Sequence, residues 1–168
     1  DFSKLKFYLS HVKFIRPDNS TVDVATSVFF DQSDSTWQSF RPFVPPGTYT
    51  GITFSVGLDS AQNATIPSNY TDLTDPLSPH EDTYWDWLKH RFITLEGTAD
   101  TIGHNFTGNV TTLAYHVGTD ECYTTYTING PQFTVDNMGN VINLNFHLWT
   151  TFYGAPSPTT MFNEPGTQ

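Results

Sequence analysis

Residues 4–15, Lys-Leu-Lys-Phe-Tyr-Leu-Ser-His-Val-Lys-Phe-Ile, space their apolar side chains two apart. That is the period of a strand, not of a helix. Leu5, Phe7 and Leu9 fall on one face and Val12 and Phe14 on the other, so the face changes near Ser10-His11. A change of face within one strand calls for a bulge or a sharp twist. The same period recurs down the chain. After Pro45-Pro46-Gly47, residues 47–59 put Ile52, Phe54 and Val56 on one side. Residues 90–97, 110–118 and 122–128 are also strand-like, rich in β-branched and aromatic residues. Residues 131–135 and 141–152 flank Asp136-Asn137-Met138-Gly139-Asn140 and predict a hairpin. In its second arm Ile142, Leu144, Phe146 and Leu148 alternate with Asn143, Asn145, His147 and Trp149. Short strands separated by Gly, Pro and Asn turns predict an all-β, antiparallel sandwich.

The exception is one long polar loop at about 59–89. It is far longer than a usual hairpin connection, and long loops on rigid scaffolds carry function. Within it, Ser78, Pro79 and Glu81 match a helix start and predict a short helix over 78–88. Length favours one domain, assigned to 1–153. Residues 154–168, Gly-Ala-Pro-Ser-Pro onward, read as an irregular C-terminal arm.

Charge narrows the partners. There are 17 Asp and Glu against 7 Lys and Arg, a formal charge of −10, and no basic cluster. Nucleic acid and anionic membrane surfaces both need basic patches, so neither is expected as a partner. No apolar run approaches the ~20 residues of a membrane span. With a single cysteine, Cys122, no disulfide framework or multi-cysteine metal site forms within the chain, and that residue is expected to be small and buried. Five Asn-x-Ser/Thr sequons, at Asn19, Asn63, Asn69, Asn105 and Asn109, would permit glycosylation on exposed loops.

Enzymatic signatures are missing. The chain has no Gly-x-Ser-x-Gly, phosphate loop, dinucleotide fingerprint, His-Glu-x-x-His or Cys-x-x-Cys, and Glu81-Asp82 reads as a pair of solvated loop charges. A non-catalytic protein is expected. Histidine remains: His11, His80, His90, His104, His116 and His147. Imidazole suits copper, zinc or iron, and strands bring ligands together from distant sequence positions. Each histidine alone is more often a surface or satisfied residue than a ligand. Trp85 and Trp87, in Tyr-Trp-Asp-Trp-Leu-Lys-His, would point the same way on a strand, with Tyr84, Asp86 and Leu88 on the other face. They form either an aromatic plug at one end of a sandwich or a wall of a site.

Four ordered blocks bear on that choice: 4–14, 44–63 (Val-Pro-Pro-Gly-Thr-Tyr onward), 75–97 (Asp-Pro-Leu through Tyr-Trp-Asp-Trp to Leu-Glu-Gly) and 113–118 (Leu-Ala-Tyr-His-Val-Gly). Together they resemble the MbnP-like family of periplasmic or extracellular copper-binding proteins, linked to methanobactin operons and to surface copper proteins of methane oxidisers. The resemblance implies an immunoglobulin-like β-sandwich, and a periplasmic or extracellular location. It also implies copper held by histidines plus a kynurenine made by oxidising a tryptophan, with a MauG-like dihaem peroxidase as the oxidising partner. Trp85 and Trp87 stand at the family's Trp-x-Trp, and His116 at its Tyr-His-x-Gly histidine. The chain departs from the pattern at Asp82-Thr83 before Tyr84-Trp85, at Leu88-Lys89-His90-Arg91, and at His11, where the family has Asn. Two outcomes stay open: a metal site rebuilt with His90, His80 or His11, or a scaffold kept without copper. A structural reading stands beside them, an extracellular adhesion or filament subunit that self-associates through the C-terminal arm. A third reading is a carbohydrate-binding module that stacks sugars on Trp85 and Trp87.

Overall fold

The computed structural model describes residues 1–100, 110–137 and 141–143. The chain is all-β and antiparallel, as the alternation predicts. The strands among the described residues are β1 (Phe2–Ile15), β2 (Thr21–Asp31), β3 (Gly47–Val56), β4 (Tyr84–Trp85), β5 (Lys89–Asp100), β6 (Val110–Gly118) and β7 (Thr124–Val135). Residues Asp1–Asn137 form one compact unit. Most of the second arm of the expected hairpin, His104, His147, Asn105, Asn109 and residues 154–168 lie outside the described residues.

β1 organises the sheet. One edge pairs with β2 from Lys6↔Asp31 to Ile15↔Thr21. The other is shared: β5 pairs along Phe2 to Phe7, and β3 along Leu9 to Ile15. The sheet therefore forks at Tyr8, whose C=O accepts from Gly57 N–H at 2.9 Å. One branch continues β5–β6 and the other β3–β7. Splitting one sheet into two branches that share a strand is how a sandwich turns its corner. The core fills the fork: Tyr8, Phe29, Leu58, Leu77 and Phe92, with Trp37, Tyr70 and Tyr123 packed against them.

The bulge falls where the face change placed it. Register shifts between Ser10 and Lys13, and His11 takes a left-handed φ of 49°. Leu5, Lys6, Tyr8, Ser10, Val12 and Phe14 are buried in β1, whereas Phe7 and Leu9 are half-buried. Phe7 instead stacks on Phe30 across the β1–β2 pair, centroids 4.7 Å apart.

The long loop departs from expectation. No helix forms over 78–88. Asp82 has a φ of 60°, which ends any helical run, and Tyr84–Trp85 pairs with β5 instead. Among the described residues the one α-turn is α1 (Ser60–Asn63), capped by Asp59 in a reciprocal box with Gln62. The loop lies against the fork through Leu77, which joins the core, and through Lys6, which donates to Glu81 C=O at 3.0 Å and pairs with Asp31 at 3.1 Å.

Candidate metal centre

The β4–β5 hairpin positions the tryptophans. Tyr84 pairs with His90 and Trp85 with Lys89. Leu88 N–H donates to Trp85 C=O at 3.1 Å, and Lys89 turns the chain with a φ of 64°. Consecutive strand residues leave opposite faces. Tyr84 accordingly meets the His90 ring, edge to face at 5.3 Å, while Trp85 meets His116, edge to face at 5.2 Å. Trp87 stacks on Trp85, centroids 5.2 Å apart and 21° from parallel, and is 77 % exposed. Leu88 is buried where Gly118 leaves it room, since a Cβ there would sit 3.0 Å from Leu88 Cγ.

Polar groups on three strands connect to His116 and Trp85. The register sets Lys4 opposite Glu96, and Thr94 opposite His116, so His116 and Glu96 are diagonal neighbours on one face. His116 Nε2 lies 2.8 Å from Glu96 Oε1. Lys4 Nζ reaches Glu96 Oε2 at 3.1 Å and Asp82 Oδ2 at 2.6 Å. The hydrogen bond from His116, reinforced by Lys4, holds the Glu96 carboxyl below its usual range against the opposing effect of burial. Asp82 is lowered by the hydrogen bond from Lys4, so this residue, expected as a solvated charge, is half of an ion pair. Arg91 places its guanidinium carbon 3.3 Å from the Trp85 ring centroid, a close cation–π contact. Burial lowers the Arg91 pKa, and the Asp82 and Glu96 charges oppose that shift.

The other candidate histidines lie elsewhere. His90 is fully buried between Tyr8 and Tyr84, its Nδ1 without a hydrogen-bond partner. Burial pushes its pKa down to about 4. His80 stacks on Phe29 at 4.2 Å and meets Trp37 edge-on at 4.7 Å, and burial lowers its pKa too. His11 sits on the bulge, its Nε2 2.6 Å from Asp59 Oδ2, so it braces the cap of α1. Among the described residues no three or more His, Cys, Asp or Glu side chains converge as a metal-binding group. Cys122 is exposed rather than buried, because it falls in the turn between β6 and β7.

The sequons divide as well. Asn19 and Asn69 are exposed. Asn63 is 5 % exposed, donates Nδ2–H to Asp120 at 2.8 Å, and accepts from His90 N–H at 3.1 Å. Its amide nitrogen is thus already committed in the folded chain.

Sequence reasoning missed Lys4, Glu96 and Arg91. Glu96 stood within Leu-Glu-Gly and Arg91 within a departure from the family pattern, and neither carried a chemical signal of its own. Among the described residues, no helix is long and apolar enough to cross a membrane. Neither a curated protein nor a solved structure matches the chain. A family model described as MbnP matches residues 1–166, and by that match the chain belongs to the MbnP family.

Proposed function

We propose that this is a non-catalytic, periplasmic or extracellular copper-binding protein whose metal centre is built at His116 and the Trp85–Trp87 pair. Family membership supports the copper-related and extracytoplasmic part of this reading. The observation that carries the site is the direct contact between Trp85 and His116, residues from two different strands.

The donor set tests the fit. His116 offers one imidazole nitrogen. Indole N–H is a donor only and ligates nothing. As encoded, therefore, the site holds a single nitrogen donor, fewer than a copper centre needs, and oxidising either tryptophan to kynurenine would add an aryl amine beside His116. Such a modification fits copper, which accepts nitrogen donors readily. A dihaem peroxidase of the MauG-like type is the proposed oxidising partner. Exposed Trp87, stacked on Trp85, gives such a partner access to the pair.

Copper titration of protein from the native host tests the reading. His116→Ala should weaken copper binding at least ~100-fold, beyond what outer-shell changes usually cost. Unchanged affinity removes His116 from the site. Intact mass should show one ring carbon exchanged for one oxygen, and an unmodified mass argues against kynurenine.

A second reading, a structural subunit, draws on β7. Among the described residues this strand lies at the end of the sheet order, contains no charged residue, and half-exposes Tyr126 and Ile128. Uncharged edges favour strand addition between chains. If self-association dominates, size-exclusion chromatography will show a concentration-dependent oligomer that Ile128→Lys abolishes, whereas a monomer at all concentrations removes this reading.

A further inference from the structure

The unabsorbed feature of the site is a chain of ion pairs that ends on one nitrogen of His116. Glu96 uses both oxygens, Oε1 toward His116 Nε2 at 2.8 Å and Oε2 toward Lys4 Nζ at 3.1 Å. Lys4 is held in turn by Asp82 at 2.6 Å. Three strands and the long loop thus contribute to the orientation of one imidazole.

We infer that Glu96, anchored by Lys4 and Asp82, is a positioning residue that fixes His116 in a single tautomer, with the proton on Nε2 and the lone pair on Nδ1. This rests on the site proposed above, and it names the nitrogen that faces a ligand there.

The chemistry leaves little freedom. An ionised carboxylate only accepts hydrogen bonds. A bare ring nitrogen 2.8 Å from it would set two lone pairs against each other, so Nε2 carries the hydrogen. Neutral imidazole has one N–H, so Nδ1 is the open donor. Turning the ring over would put Cε1 where Nε2 stands and so forfeit the Glu96 bond. The neighbouring wall resists as well. Trp85 meets the His116 ring at 79°, and Arg91 lies on the Trp85 ring at 3.3 Å, which restrains the indole. A carboxylate that grips the far nitrogen of a histidine is the usual way proteins orient and strengthen an imidazole donor.

The test begins on metal-free protein, so it stands apart from copper binding. Nitrogen-15 NMR at a pH where His116 is neutral should show a protonated Nε2 and a pyridine-type Nδ1. In Glu96→Ala the two tautomers should interconvert and average, while Glu96→Gln, which keeps an acceptor oxygen, should largely retain the wild-type pattern. A pyridine-type Nε2 in the wild-type protein overturns the inference. So does a Glu96→Ala spectrum that matches wild type. The wild-type spectrum decides the tautomer even if a variant fails to fold. The second arm is copper titration, in which Glu96→Ala should weaken binding about 10- to 100-fold with Glu96→Gln in between. Copper binding that is unaltered in Glu96→Ala overturns the positioning role at the metal. Absence of copper binding by the wild type removes the proposed function and leaves the tautomer result standing.

Discussion

Gly57→Ala should destabilise the fold by about 4 kcal/mol, the sum of a strained φ and an overpacked core. Gly57 closes β3 at the fork, with a φ of 94° that side chains rarely adopt. A Cβ built there would lie 2.3 Å from Phe92 Cδ2, and Phe92 is buried in the core with nowhere to retreat. The backbone cannot move away freely either, because Gly57 N–H bonds to Tyr8 C=O where the branches part. For a chain of this size the thermal midpoint should fall by roughly 10 °C. Gly130→Ala is the control, since a Cβ there meets nothing within 4 Å. Comparable losses in the two variants would mean that Gly57 is not a packing requirement of the fork.

The second large effect is a loss of stability in mild acid. His90 is neutral and buried, with a folded pKa of about 4 against 6.5 for an exposed imidazole. Above pH 6.5 the folded and unfolded chains both carry it neutral, and it contributes no pH dependence. As pH falls below 6.5 the unfolded chain binds the proton first, and it keeps that advantage until the folded ring titrates near 4. The cost over that interval is roughly 3 kcal/mol. His80, lowered by burial against Phe29 and Trp37, adds in the same direction. The carboxylates behave differently. Asp31, Asp59, Asp82 and Glu96 are all lowered on folding. Their contribution is present above the ordinary carboxylate pKa near 4 and is lost only as pH falls below that. Denaturant unfolding from pH 8 to 4 separates the two groups. His90→Leu should flatten most of the slope between 6.5 and 4, and an unchanged slope would mean that His90 is not the titrating group.

Much of the scaffold could be read from alternation. β1, β3, β5 and β6 announce themselves through paired β-branched and aromatic positions, and the bulge follows from the change of face near Ser10-His11. β2 escaped because Ala25, Ser27 and Asp23 dilute the pattern and Phe29-Phe30 breaks it, so that its identity depends on β1 beside it. The helix expected over 78–88 failed for a related reason. Ser78 and Pro79 satisfy a local start signal, but Tyr84 and Trp85 find backbone partners on β5, and that pairing outweighs a marginal short helix. A helical start that the structure does use, the Asp59–Gln62 box, was passed over in the sequence reading.

The site was legible in part, and by resemblance more than by spacing. Nothing in the residues themselves connects Trp85 with His116, which come together only because β6 pairs with β5. The grouping of His80, His90 and His11 with His116 could not be judged without the fold. Strand alternation sends Tyr84 to His90 and Trp85 to His116, and the bulge sends His11 to Asp59. Lys4 and Glu96 depend on register across three strands, which no local pattern encodes.

The most direct measurement is an anomalous-scattering map at the copper edge, from crystals of copper-loaded protein from the native host. A peak at ~2.0 Å from His116 Nδ1, the usual metal–imidazole distance, with a modified Trp85 or Trp87 as neighbour, is the predicted result. A copper peak at His80 or His90, or none within bonding distance of His116, would contradict it.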